Sequence, residues 1–148
     1  METRDDVMQR IKEVINSQSI AVLSTSKNDE PYSCLVAYAT TDDARHFIFA
    51  TMRQRLKYRN LTANPRISLI IDDRNEKSSD FNETTSITVV GTAHDIVGPK
   101  REEIAALLLK LHPSLTDFVN SPDCAVIRVD VDKIYVVSEF ESVITIGK

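Results

Sequence analysis

Six basic residues, Arg45, Arg53, Arg55, Lys57, Arg59 and Arg66, fall within residues 45–71, a stretch without a single aspartate or glutamate. The remainder of the chain carries 12 basic residues (18 minus 6) against all 22 acidic ones, and the net charge is −4. One segment of an otherwise acidic chain is therefore suited to an anion. A nucleic acid is a poor match, because it needs a broad basic face with stacking aromatics, and the acidic remainder would repel it. Within the basic segment, residues 47–60 read FIFATMRQRLKYRN. A strand that runs straight into a helix leaves backbone N–H groups unpaired at the positive end of the helix dipole, and that arrangement favours a phosphate. Thr51 adds a hydroxyl at the junction. Positions 53 and 57 share one helical face and 55 and 59 another, so only part of the basic set is expected to converge on one ligand. By charge alone the segment also fits a solvated basic helix face.

Other chemistry is thinly supported. Cys34 and Cys124 lie ninety positions apart in apolar stretches, which fits reduced core residues and not a disulfide framework. Cys34, alone in an apolar strand, is expected to be a small packing residue with no catalytic role, and Tyr32 and Tyr38 share its strand face. The three histidines, His46, His94 and His112, are scattered, with no Cys-x-x-Cys or His-x-x-x-His spacing for zinc. No Ser-His-Asp or Cys-His constellation stands out.

The 148 residues, 42% hydrophobic, are expected to form one domain, residues 1–148. No apolar run approaches the roughly 20 residues of a membrane span, and the opening METRDDVMQR is acidic and polar where a secretion signal is basic and then apolar. A cytoplasmic protein without a membrane partner is expected.

The pattern of elements predicts how the basic segment is held. Residues 3–17 form an amphipathic helix, with Thr3 and Asp6 at capping-box spacing and Val7, Ile11, Val14 and Ile15 in one stripe. Strands are expected at 19–25, 32–40, 45–51, 66–72 and 85–96, the first two joined as a hairpin by a polar turn at 27–31. A helix is expected over 52–63, closed by Asn64-Pro65, because a residue before proline is pushed out of the helical region. Residues 73–83 are expected to be a mobile surface loop, and Gly91 marks a bend or bulge in its strand. Gly98-Pro99 opens a helix with Ile104, Leu107, Leu108 and Leu111 on one side, and His112-Pro113 ends it. A short helical turn at 114–120 follows, then a long strand or hairpin over 124–137 and an edge strand at 143–146. Sequential strands with few helices argue for an antiparallel barrel with helical caps over a βαβ sheet.

Phe49-Ala50-Thr51, Lys57 six residues later, and Asn64-Pro65-Arg66-Ile67-Ser68-Leu69 together resemble the core pattern of the pyridoxamine 5′-phosphate oxidase-like, FMN-binding split-barrel family. Pro31-Tyr32-Ser33-Cys34-Leu35-Val36 resembles the family's flavin-side strand, and Ile87-Thr88-Val89-Val90-Gly91-Thr92-Ala93 its fifth strand. The resemblance spans residues 19–96, with the rest following by element order. It implies a mainly β fold with flanking helices: an antiparallel six-stranded split β-barrel. It also implies a homodimer with flavin at the interface and FMN as cofactor.

By position, Thr51 and Lys57 would hold the FMN phosphate, with Arg55 beside it in place of a family serine. The backbone of Leu35 and Val36 would run along the isoalloxazine ring, next to Cys34, and Ser86 would occupy the place of a side chain at the ring edge. Leu56, Cys34 and Ala39 stand where the oxidases proper have basic residues, so a differently built phosphate grip is expected. Those oxidases also have a C-terminal segment with tryptophan and arginine facing flavin and substrate. This sequence contains no tryptophan, and it resembles the short general members instead. The implied function is an FMN-dependent oxidoreductase passing hydride or electrons between small molecules. The alternative is a carrier or sensor that binds flavin, deazaflavin or heme without turnover.

Overall fold

A computed structural model describes residues 2–75, 83–138 and 142–147. Helix α1 (Arg4–Ser17) begins at the expected capping box: the Asp6 N–H donates to Thr3 Oγ1 at 3.1 Å, and the Thr3 N–H donates to the Asp6 carboxylate at 3.0 Å. These bonds hold the Asp6 carboxyl below its usual value. Its stripe of Val7, Ile11, Val14 and Ile15 is buried in the main core.

Strands β1 (Ile20–Lys27) and β2 (Glu30–Ala37) form the expected hairpin, but Lys27 pairs with Glu30. The connection is therefore only Asn28-Asp29, both at positive φ (53° and 64°). Two left-handed residues make the turn whose twist matches paired strands, and Asn and Asp adopt that region readily. The chain continues through β3 (Ala39–Thr40), β4 (His46–Met52), α2 (Leu56–Ala63), β5 (Arg66–Asp72) and β6 (Ser86–Asp95). After these come α3 (Pro99–Leu111), a 3₁₀ turn (Pro113–Leu115), α4 (Thr116–Asn120), β7 (Cys124–Ser138) and β8 (Ser142–Gly147).

All strand pairs are antiparallel, in the order β2-β1-β5-β6-β7-β4-β3, with β8 added to β7. The first and last strands in that order are separated in sequence by Tyr38 alone. A sheet whose two edges are tied by one residue must curl round on itself, and the result is a split barrel. Tyr38 is buried, and its hydroxyl donates to the Ile15 carbonyl at 2.6 Å, tying the closure to the end of α1. Burial pushes its phenol well above the usual value. The expected strands correspond to β1, β2, β4, β5, β6 and β7, and the expected edge strand at 143–146 is β8; the run expected over 32–40 is divided at Tyr38 into β2 and the two-residue β3.

The 124–138 segment is one strand and not a hairpin, because it is needed on both sides. It pairs with β6 along one edge, and along the other with β4 at its start and β8 at its end. A register shift at Val90/Gly91 is the expected bulge. On the outer face of this seam Asp130 gathers His46 (2.9 Å), His94 (3.1 Å) and Arg128 (2.8 Å) from three strands.

Two elements differ from expectation. Helix α2 starts at Leu56 and not Met52, since β4 is paired through Met52 and residues 53–55 turn. In α3, Ile104, Ala105 and Leu108 pack with Ile48, Val119 and Val126, whereas Leu107 and Leu111 remain exposed. One helical ridge is enough to seat this short helix on the barrel. Within the expected 73–83 loop, residues 76–82 lie outside the described residues.

Candidate functional site

The turn between β4 and α2 is fixed by backbone bonds on both sides. The Arg53 N–H donates to the Asp123 carbonyl (3.0 Å), that of Arg55 to Met52 (3.2 Å), and those of Tyr58 and Arg59 both to Arg55 (3.1 and 3.2 Å). The N–H groups of Gln54, Leu56 and Lys57 meet no acceptor among the described residues, and Arg55, the N-cap, makes no side-chain cap bond. These donors sit at the positive end of α2, the arrangement that attracts an anion. A groove of about 540 Å³ opens over them, lined by Tyr32, Thr51, Arg55, Lys57, Arg59 and Phe118 among others. That volume lies in the range of small-molecule sites.

The structure sorts the basic residues differently from the helical wheel. Arg53 precedes the helix and turns away from the groove. Its guanidinium donates to the Cys124 carbonyl at 3.1 Å, pairs with Asp95 at 3.4 Å and lies 5.8 Å from the Tyr58 ring. Tyr58 donates to the same Asp95 carboxylate at 2.7 Å, so this side of the turn is fastened to β6. The far end of α2 is fastened to β1 by buried Asn60, whose amide donates to Thr25 Oγ1 at 3.0 Å. Arg55, Lys57 and Arg59 all line the groove, and Arg59 also donates to the Gln54 carbonyl at 2.7 Å. Thr51 is fully buried and donates its hydroxyl to the Met52 carbonyl at 3.1 Å, which leaves only its lone pairs.

Cys34, half-buried on β2, lies within the electrostatic influence of the Lys57 ammonium. Burial pushes its thiol up, and Lys57 pulls part of the way back. Thr51, Arg55 and Lys57 are thus gathered at one groove, whose lining does not include Cys34. Val36 is buried in the main core. The Leu35 side chain, 67% exposed, lies on the opposite sheet face, in a smaller groove of about 180 Å³ with Val22 and Ile70. Ser86 pairs with Val137 of β7, whereas Thr51 pairs with Ala125. Twelve residues of strand (137 minus 125) make roughly 40 Å of chain, so Ser86 of the same chain lies far from this groove.

The sequence reading missed Arg59 and Phe118 as groove residues. The placing of Arg59 depends on a helix start four residues later than the expected one, Leu56 instead of Met52. Phe118 carries no local signal beyond being an aromatic residue in a short polar helix.

The profile of the pyridoxamine 5′-phosphate oxidase family matches residues 7–138. The chain belongs to this family. No functionally curated protein matches the sequence. Among solved structures, a heme binding protein from Mycobacterium smegmatis superposes with a TM-score of 0.87 at 17% identity, over 98% of this chain and 59% of that one. This chain thus spans about three fifths of that protein's length. A FAD-binding protein from Mesorhizobium loti superposes with a TM-score of 0.71 at 18% identity, over 86% and 91% of the two chains. A protein related to general stress protein 26, from Clostridium acetobutylicum, gives 0.77 at 16% identity over 98% and 96%. At these identities the likenesses concern the fold: the split barrel of the pyridoxamine 5′-phosphate oxidase family. Among the described residues no helix is long and apolar enough to cross a membrane.

Proposed function

We propose that this pyridoxamine 5′-phosphate oxidase family member is a flavoprotein that binds FMN by its phosphate at the β4–α2 turn and acts as an oxidoreductase between a small-molecule electron donor and acceptor. The observation that carries this reading is the set of unpaired N–H groups of Gln54, Leu56 and Lys57, facing a groove that Arg55, Lys57 and Arg59 also line. Backbone donors at a helix start grip phosphate oxygens, and the cations neutralise the dianion. Bound FMN would supply the hydride or electron transfer; the chain's residues position it and shield it from water. The β2 backbone beside Cys34 is the neighbouring wall against which the ring would lie.

A two-fold homodimer is part of the proposal. On the outer face of the sheet one cross-strand row reads Leu35–Val22–Ile70–Thr88–Tyr135 and the next Ser33–Ser24–Ser68–Val90–Lys133. One charge in ten side chains suits a surface that packs against another copy. Ser86 lies at the margin of that face, so a flavin contact from Ser86 would come from the partner chain. The two free cysteines suit a reducing, cytoplasmic setting. Heme use of the barrel is less well supported, because His112 is bonded to the Tyr38 carbonyl and His46 and His94 to Asp130, outside the groove.

The test is optical. The purified protein should be yellow, or quench the fluorescence of micromolar FMN, and NADH or NADPH should bleach the bound chromophore if it turns over. A colourless protein that leaves FMN fluorescence unchanged would overturn the flavin reading. Flavin that binds but resists every reductant would leave a carrier or sensor. A flavin-bound monomer in sedimentation would remove the dimer.

A further inference from the structure

The groove does not stop at the phosphate turn. Around the barrel, β4 is paired with β7 along its whole length and with β3 only at Phe47 and Ile48, so the end of β4 beyond Ile48 borders the split towards β2. Tyr32 belongs to β2, and Phe118 belongs to α4, which is seated at the start of β7: its Val119 is fully buried, and the Ser121 and Cys124 N–H groups close the link at 3.3 and 3.1 Å. Tyr32 and Phe118 therefore flank the end of β4 from its two sides, with the cationic turn between them, and all line one continuous groove. Each ring is more than a third exposed, and neither belongs to a core cluster. A phosphate at the turn with a flavin ring on the β2 side leaves the Phe118 side empty.

Resting on the flavin reading above, we infer that the Phe118 side is a second ring-binding subsite. The chain would then accept the dinucleotide FAD, with its diphosphate across Arg55, Lys57 and Arg59 and its adenine stacked on Phe118. Stacking a base on an exposed aromatic face is sequence-tolerant and strong enough to decide between ligands that share a phosphate. A second phosphate also gives Arg55 and Arg59 a partner each beyond the oxygen set that Lys57 and the free amides hold.

Fluorescence-quenching titrations of FMN and FAD test this in the full-length wild type and in Phe118→Ala, Phe118→Leu and Phe118→Tyr. The wild type should bind FAD at least as tightly as FMN. Phe118→Ala and Phe118→Leu should lower the ratio of FAD to FMN affinity about 5-fold or more, the loss of one stacked ring, and Phe118→Tyr should restore it. Leu keeps the apolar bulk that α4 needs, so a fold defect cannot produce the pattern by itself. A ratio unchanged in the Leu variant, or a wild type that binds FMN and excludes FAD, overturns the second subsite and leaves the flavin reading standing. A protein that binds neither flavin defeats both.

Discussion

Replacing Lys57 by alanine is the sharpest probe of the phosphate placement. Lys57 lines the groove at the second position of α2, beside the three N–H groups that meet no acceptor among the described residues. A charge-assisted bond of this kind contributes about 1.5–3 kcal/mol, so Lys57→Ala is expected to weaken FMN about 10- to 150-fold. The free amides remain, so binding should be weakened and not abolished. Riboflavin lacks the phosphate, and its affinity should fall far less. Salt should weaken FMN more in the wild type than in the variant, because part of the attraction is screened. Lys100→Ala, which removes the same charge from the exposed start of α3, serves as the control for net charge. Arg59→Ala should also weaken FMN, since that guanidinium lines the groove and braces the Gln54 carbonyl. Fluorescence titration of both flavins at two salt concentrations measures all of this. Equal losses of FMN and riboflavin in Lys57→Ala, or a Lys100→Ala loss of the same size, would mean that the basic segment is only solvated surface.

The fold supplies two more predictions. A Cβ at Gly91 would stand 2.4 Å from the Asp130 carbonyl oxygen and 2.8 Å from a Val129 methyl; overpacking against backbone costs about 1–3 kcal/mol, so Gly91→Ala should lower Tm by about 2–12 °C, and a Tm within a degree of wild type would contradict the close approach. At Asp130, partial burial works against the charged form, but the bonds from Arg128 and His46 outweigh it and hold the carboxyl below 3.8. A depressed carboxyl stabilises the fold above its unfolded value and loses that contribution as pH falls through the folded one. The Tm advantage of wild type over Asp130→Asn should therefore be full at about pH 6 and shrink below about pH 4; a difference constant down to pH 3 would refute the assignment.

What the sequence disclosed was local. The capping box at Thr3 and Asp6, the Asn64-Pro65 stop and the Gly98-Pro99 start each act within a turn of chain, and each stands where expected. The strands were legible because alternation records which face is buried, as in Arg66–Asp72. The roles of the arginines were not. Arg53 is drawn off by Asp95 and the Cys124 carbonyl, 42 and 71 positions away, and no spacing within residues 53–59 reveals that. Leu107 and Leu111 repeat at helical intervals like buried residues, yet the barrel offers α3 one narrow ridge only. Phe118 reaches the groove because of where β7 begins, a fact of long-range pairing.

That strand has a consequence for how the protein is made. β7 supplies the missing partner of both β4 and β6, and among the described residues it is the last long strand in chain order. Until residues 124–138 emerge from the ribosome, a nascent chain carries two open strand edges and an unsealed apolar interior, the features that invite pairing with other chains. At about 5–20 residues per second those fifteen residues take roughly one to three seconds to add. Truncations ending inside β7 should therefore be found in aggregates or bound to chaperones, whereas chains carried past Ser138 can close the barrel for themselves.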